Sequence, residues 1–335
     1  MIGCGIIFKS LREKGIYVMD SFEFEYGRVL ENVEVYYSTY GTPKYDDEGF
    51  IVNAILFSST FSGEYSFLSG AHEHIKNNRD FDSTAEFYFI VIHSLGSPNS
   101  CSPSSTGLKH NFPRYTFRDI VNFKRQFLEE KFNIKKILGL IGEGVGGFDV
   151  LTWACEYPDE MEFIFVANSS FKMSGYKYIL AKAFENIIES SDDVYEDTYS
   201  SSLSKILVAI NTLIFAHSSS KKAFSNIDNN EIDALLDDFI DEGLFLDVYD
   251  FKYRNECQFE YNLEDKLGKI KAKSLFISTN HNYFEFEDDL LPLEYLVEDS
   301  IVICLDSVKE DYYFKEEDYV PVVSQILAFL EPFKK

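Results

Sequence analysis

Residues 138–153 read LGLIGEGVGGFDVLTW, and this stretch decides the fold. The apolar run from Ile137 to Ile141 predicts a buried strand, and the pattern after the turn predicts a helix. Small residues at such a turn let the strand and the helix approach closely, and the stretch supplies four of them: Gly142, Gly144, Gly146 and Gly147. This arrangement is typical of a nucleophile elbow, G-x-S-x-G, in which a serine stands in the middle. Here Gly144 stands in the middle, so the sequence predicts the turn without its nucleophile.

The same glycines admit a second interpretation, a phosphate-binding turn, because N–H groups at a helix N-terminus attract anions. The stretch has no Lys-Ser or Lys-Thr of a P-loop, and it matches the dinucleotide-binding fingerprint only loosely. Glu143 would also repel a phosphate. The elbow is therefore favoured over an anion site, and Glu143 itself is expected to face solvent.

The chain is strongly acidic. It has 56 aspartates and glutamates against 31 lysines and arginines in 335 residues, and its formal net charge is -25. Nucleic acids and anionic membranes would be repelled by this charge, so neither is expected as a partner. The length suits one large α/β domain with an insertion, or two small domains.

The cysteines predict a reducing environment. There are five of them, widely spaced and without a C-x-x-C pair: Cys4, Cys101, Cys155, Cys257 and Cys304. This pattern signals neither a disulfide framework nor a zinc site. The segment MIGCGIIFKSLREKG is too weakly apolar for a secretory signal, and no stretch is apolar enough to span a bilayer. We expect a cytoplasmic protein without a metal or a cofactor.

The rest of the pattern predicts an α/β fold. Two alternating segments, 16–24 and 33–40, predict an antiparallel pair at a sheet edge. Apolar runs predict further strands at 51–58, 87–93, 137–141, 163–167, 274–278 and 301–305. Helical patterns that begin at Thr116 alternate with the later strands. Such alternation implies a mostly parallel sheet flanked by helices on both faces.

A long helical segment interrupts this alternation between about residues 169 and 253. Helical patterns occur there at 178–189, 203–215 and 232–245. We predict a helical lid at 169–253 that is inserted into one sheet domain, whose two parts are residues 1–168 and 254–335.

Several motifs carry a family resemblance, which covers most of the chain. They are YYSTYGTP at 36–43, SCSPSST at 100–106, FPRYTFRDIV at 112–121, the turn with Trp153-Ala154 and Tyr157-Pro-Asp, DVYDF at 247–251, and LGKIKA at 267–272. In this order they resemble the homoserine O-acetyltransferase family of α/β-hydrolases, especially its hydrolase-like branch. The resemblance implies the α/β-hydrolase fold, a mostly parallel sheet flanked by helices with an inserted helical lid.

The resemblance also implies where a Ser-Asp-His triad would stand. Judged by the flanking residues, the serine position falls on Gly144, the acid position on or near His281, and the histidine position on Glu310. A glycine has no nucleophilic atom, which rules out covalent acyl transfer through this position. An oxyanion hole uses backbone N–H groups, implied here for Phe61 and Val145, and these groups survive any change of side chain.

Three functional hypotheses follow. The first is a catalytically degenerate homologue, a pseudoenzyme that binds a small acyl or amino-acid-like ligand or a protein partner. The second is an acyltransferase or hydrolase of altered mechanism, in which His281 acts as base and Glu310 orients it. Against the second hypothesis, both residues can be drifted loop positions, and the loop residues Ser59, Ser94, Cys101 and Ser104 are more typical of turn caps. The third is a purely structural subunit paired with an active paralogue, since the resemblance further implies a homodimer, or pairing with a paralogue, through the lid.

Overall fold

An eight-stranded sheet runs through the protein. The computed structural model describes residues 11–58, 86–97, 100–196, 200–217, 219, 221–243, 247–279, 287–305 and 316–334. The strands are β1 (Leu11–Glu23), β2 (Val29–Tyr40), β3 (Ala54–Ser58), β4 (Tyr88–Ile92), β5 (Ile137–Glu143), β6 (Met161–Ala167), β7 (Lys273–Thr279) and β8 (Ser300–Leu305). Their order in the sheet is β1-β2-β4-β3-β5-β6-β7-β8.

Strand directions confirm the predicted edge pair and the mostly parallel sheet. β1 pairs with β2 and β2 pairs with β4 in antiparallel fashion, and every later neighbour, from β4-β3 to β7-β8, is parallel. The three central strands β3, β4 and β5 are buried along their whole length. Strands covered on both faces read as continuous apolar runs, which is why the sequence shows them so clearly.

Helices cover both faces of the sheet. Outside the segment between β6 and β7 they are α1 (Phe117–Phe132), α2 (Val145–Glu156), α8 (Glu287–Leu290), α9 (Leu293–Leu296) and α10 (Glu316–Leu330). Leu140 of β5 packs in the core cluster that includes α1 and α2, whereas its neighbour Ile141 packs in the cluster that includes α10. Successive strand residues point to opposite faces, so β5 joins the two cores.

Helix α1 begins where the sequence predicts. The Thr116 side chain accepts a hydrogen bond from the Asp119 backbone N–H at 3.2 Å, and the Asp119 carboxylate accepts one from the Thr116 N–H at 2.8 Å. This reciprocal capping box satisfies two N–H groups that a helix end leaves without partners. The Asp119 carboxylate also accepts a bond from the Glu25 N–H at 2.8 Å, which ties the hairpin end to the helix.

The described part of the chain between β6 and β7 has five α-helices: α3 (Gly175–Ile188), α4 (Ser201–His217), α5 (Lys221–Ser225), α6 (Asn229–Gly243) and α7 (Val248–Gln258). Three of them, α3, α4 and α7, contribute to a separate apolar cluster. The three predicted lid helices match α3, α4 and α6 to within a few residues. The predicted lid boundary at Tyr253 falls inside α7, a helix that apolar periodicity does not reveal because it buries Asp250, Lys252, Arg254 and Asn255.

None of the helices in the described ranges is long and apolar enough to cross a membrane.

Candidate active site at the turn between β5 and α2

Gly144 lies at the apex of a sharp turn between β5 and α2, with φ 55° and ψ −123°. A residue with a Cβ atom adopts this conformation only under strain. The apex is fixed from several sides. Its N–H donates to the Ala167 carbonyl at 3.1 Å, and its own carbonyl accepts bonds from the Gly147 N–H at 3.0 Å and the Ser169 hydroxyl at 2.7 Å. The turn predicted from the glycine pattern is therefore present in the structure.

The glycines on either side of the apex stand where the structure leaves no room for a side chain. A Cβ atom on Gly142 would lie 2.4 Å from the Gly146 carbonyl oxygen, and one on Gly147 would lie 2.4 Å from the Ser169 hydroxyl oxygen. Both contacts are shorter than real Cβ atoms make. Strand and helix approach this closely because neither residue carries a side chain.

The N–H group of Val145 directly follows the apex in the chain. Val145 is the first residue of α2, and the first N–H groups of a helix have no acceptor within the helix. Such a group next to the apex is what an oxyanion hole requires. The second expected donor, Phe61, lies outside the described residues.

Glu143 is buried, contrary to the expectation that it faces solvent. It is the last residue of β5, it pairs with Ala167 of β6, and it is only 2% exposed. The last position of a central strand is still covered by its neighbours, which the sequence does not show. The site therefore has a buried carboxyl group immediately before the apex.

A buried ionic cluster lies among the neighbours of the turn. The Lys124 ammonium of α1 donates to Asp149 Oδ2 of α2 at 2.6 Å, and its side chain is fully buried. The same oxygen accepts the hydroxyls of Ser58 at 2.7 Å and Ser94 at 3.3 Å. Lys124 also donates to the Ser58 hydroxyl. Burial lowers the pKa of Lys124, and the Asp149 carboxylate opposes that shift. We name these four residues the buried ionic cluster.

The cluster joins four elements at one end of the sheet. Ser58 is the last residue of β3 and pairs with Gly142 of β5, and Ser94 follows β4. Asp149 lies in the second turn of α2. Serine, lysine and aspartate together can form nucleophilic sites, but these residues are at most 2% exposed, so a substrate cannot reach them. The cluster therefore lies in the core, where it joins the second turn of α2 to the end of β3.

Sequence reasoning overlooked Lys124 and Asp149, although a signal was present. Lys124 stands among the apolar positions of α1, next to Phe123 and between Ile120 and Phe127. Asp149 stands in the apolar run of α2. Two opposite charges on the buried faces of helices that cover the same side of a sheet point to a buried ion pair.

The serine-rich loop after β4 is bound to α7. Asp250 accepts bonds from the Ser104 N–H at 2.9 Å, the Ser104 hydroxyl at 2.5 Å and the Ser102 hydroxyl at 3.2 Å. One turn further along α7, Arg254 donates to the Ser97 hydroxyl at 3.2 Å. Burial raises the pKa of Asp250 to about 6, and the bonds from Ser104 oppose the shift. The serines of this loop therefore anchor it to a helix of the segment between β6 and β7.

Three of the four loop residues expected near the site lie within the described part of the structure. Ser94 joins the buried ionic cluster, Ser104 binds Asp250, and Cys101 is buried, which raises its pKa to about 12. Ser59, His281 and Glu310 lie outside the described residues. The strand ends that precede the last two are adjacent, because Thr279 of β7 pairs with Leu305 of β8.

Comparison with known proteins identifies the family. No family model matches the chain. A protein of Methanothermobacter thermautotrophicus named "Probable acyltransferase" is 35% identical over 290 residues, which are 86% of this chain and 89% of that protein. The homoserine O-acetyltransferase of Pelobacter propionicus is 29% identical over 166 residues, 44% of this chain and 43% of that protein. The chain belongs to the homoserine O-acetyltransferase-like acyltransferases.

Solved structures agree on the fold of this homoserine O-acetyltransferase-like chain. The acetyl esterase MekB superposes with a TM-score of 0.78 at 18% identity, over 96% of each chain. The homoserine O-acetyltransferase from Bacillus anthracis superposes with a TM-score of 0.75 at 17% identity, over 95% of this chain and 97% of that one. The α/β-hydrolase fold implied by the motifs is confirmed. Compared with the homoserine O-acetyltransferases in sequence, the chain spans less than half of their length.

Proposed function

We propose that this protein is a catalytically degenerate member of its family, which binds a small acyl or amino-acid-like ligand and forms no covalent intermediate with it. One observation carries the proposal. Gly144 has the backbone conformation of an elbow apex but no side-chain atom that can attack a carbonyl. The turn has kept its geometry and has no nucleophile.

The backbone of the turn supports binding of a carbonyl oxygen. The Val145 N–H lies at the N-terminus of α2, where the helix adds partial positive charge. A neutral acyl group or the carboxyl end of an amino-acid-like molecule is the kind of ligand that such an N–H group would bind.

Acyl transfer by an altered mechanism is the second candidate, and the relative named "Probable acyltransferase" favours it. In this candidate His281 acts as a base toward water or an acceptor, and Glu310 orients its imidazole. The adjacent ends of β7 and β8 are compatible with such a pair.

One set of assays separates the two candidates. Purified wild type, Gly144→Ser and His281→Ala are tested for labelling by a fluorophosphonate, for hydrolysis of p-nitrophenyl esters, and for acetyl-CoA-dependent acetylation of homoserine. We expect wild type to show neither labelling nor turnover, and calorimetry to detect binding of homoserine, O-acetylhomoserine or acetyl-CoA. Labelling of wild type would refute the degenerate site. Turnover that His281→Ala abolishes would establish the second candidate instead.

We further propose that two copies of the chain, or the chain and a paralogue, pair through α6. No residue from Asn229 to Asp241 is fully buried. The apolar residues of the helix, Ile232, Leu235, Leu236, Phe239 and Ile240, are half-buried, and the Phe239 ring lies 5.5 Å from the Phe215 ring of α4. A second protein would cover the part of this apolar side that remains exposed. Light scattering during gel filtration should give twice the chain mass of 38.7 kDa for a homodimer. Leu236→Asp should return it to the monomer, and Asp237→Asn on the acidic side should not.

A further inference from the structure

We propose that the buried ionic cluster positions the carbonyl-binding turn, with Ser58 as the residue through which it acts. The inference rests on the proposed function, because it assigns a positioning residue to that same site. It concerns how the N-terminus of α2, with the Val145 N–H, is held in relation to the end of β3.

Three hydrogen bonds meet at one carboxylate oxygen of the buried ionic cluster. Asp149 Oδ2 receives the Lys124 ammonium and the hydroxyls of Ser58 and Ser94, whereas Asp149 Oδ1 has no hydrogen-bond partner among the described residues. Core stability alone would be served as well by apolar side chains of similar volume. The cluster instead directs three donors to a single oxygen on α2.

The two hydroxyl donors come from the same end of the sheet as the turn. Ser58 ends β3 and Ser94 follows β4, so both hydroxyls come from the strand ends on the side of the sheet where Gly144 lies. Asp149 follows Val145 by four residues, one turn along α2. Neighbours four apart lie on the same side of a helix. Asp149 Oδ2, which accepts the three hydrogen bonds, and the Val145 N–H, which would donate to the ligand, thus belong to consecutive turns of α2.

The Ser58 hydroxyl is held in one orientation by these bonds. Lys124 donates to both Ser58 and Asp149, so the hydroxyl of Ser58 is held by two partners as well as by its strand. A buried hydroxyl with donor and acceptor both engaged has one orientation. We infer that loss of the Ser58 hydroxyl would release the end of β3 from α2 while the Lys124–Asp149 ion pair remains.

The test compares Ser58→Ala with Ser274→Ala. Ser274 is also a fully buried serine on a parallel strand, but it stands at the opposite end of the sheet, near the start of β7, where its hydroxyl donates to the Ala272 carbonyl at 2.9 Å. Amide hydrogen exchange is followed by mass spectrometry in peptides that cover 54–58 and 145–156. We expect Ser58→Ala to raise exchange there about tenfold, the size of one lost buried hydrogen bond, and Ser274→Ala to leave those peptides unchanged.

A second readout separates positioning from general stability. The two variants should lower the melting temperature by similar amounts. Only Ser58→Ala should weaken binding of whichever of homoserine, O-acetylhomoserine or acetyl-CoA binds wild type. Equal exchange and equal binding in the two variants would overturn the inference. If wild type binds none of the three, the proposed function fails, and the exchange comparison still decides whether Ser58 holds the turn.

Discussion

Asp250 of α7 accepts hydrogen bonds from both the N–H and the hydroxyl of Ser104, at 2.9 and 2.5 Å, and so joins a helix of the segment between β6 and β7 to the serine-rich loop after β4. Because the carboxyl group is buried, its pKa in the folded protein is raised from 3.8 to about 6. This contact therefore responds to pH.

The first prediction concerns that response. A raised pKa means that the folded protein binds the proton more tightly than the unfolded chain. The contribution of Asp250 to the free energy of unfolding should therefore rise by about 2 kcal/mol as the pH falls from 7 to 4.5. Asp250→Asn should lack this rise. Urea unfolding of both proteins at pH 7 and pH 4.5 measures the difference.

The control for this prediction is Asp159→Asn, since Asp159 is exposed and pairs with Lys271 at the surface. Its unfolding curve should change with pH nearly as the wild type does. Parallel pH dependence in wild type and Asp250→Asn would contradict the assigned burial of Asp250.

The second prediction concerns the ion pair of the buried ionic cluster. Asp149→Ala leaves the fully buried Lys124 ammonium without its carboxylate, and such a loss costs about 3–5 kcal/mol of unfolding free energy. The double variant Lys124→Met, Asp149→Leu removes both charges and should lose less than half as much. Denaturant unfolding measures both. A double variant that is less stable than Asp149→Ala would show that the pair is worth more than its apolar replacement.

The third prediction concerns space at the turn. Gly142→Ala places a Cβ atom 2.4 Å from a backbone oxygen, and overpacking of this kind costs about 1–3 kcal/mol. Gly268→Ala is the matched control, because a Cβ atom there meets nothing within 4 Å. Melting curves should show a clear loss for the first variant and almost none for the second. Similar curves would mean that β5 and α2 can separate without cost.

The fourth prediction concerns the start of α1. Thr116→Val keeps the shape of the side chain but removes the oxygen that accepts the Asp119 N–H, and it should cost about 1 kcal/mol. Thr116→Ser keeps the oxygen and should retain most of the stability. Thermal unfolding of both variants checks this, and equal losses would show that the methyl group, rather than the cap, matters.

Much of the fold could be predicted because its signals are local. The central strands are buried on both faces and appear as apolar runs, the start of α1 is marked by Thr116 and Asp119, and the turn is marked by its glycines. α7 escaped prediction because its buried side carries Asp250, Lys252 and Arg254, whose partners come from distant parts of the chain. Periodicity detects apolar burial and cannot detect polar burial.

Some features of the candidate site also follow from the sequence alone, and others depend on the assembled fold. The sequence by itself determined that the apex of the turn is Gly144 and that no serine chemistry can occur there, because the identity of a residue settles which atoms it offers. Only the tertiary structure decided that Glu143 is buried, that Asp250 holds the serine-rich loop, and that Lys124, Asp149, Ser58 and Ser94 meet. The physical reason is sequence separation. Lys124 and Ser58 are 66 residues apart, and Asp250 and Ser104 are 146 apart, so their contacts exist only once the sheet and its helices have assembled.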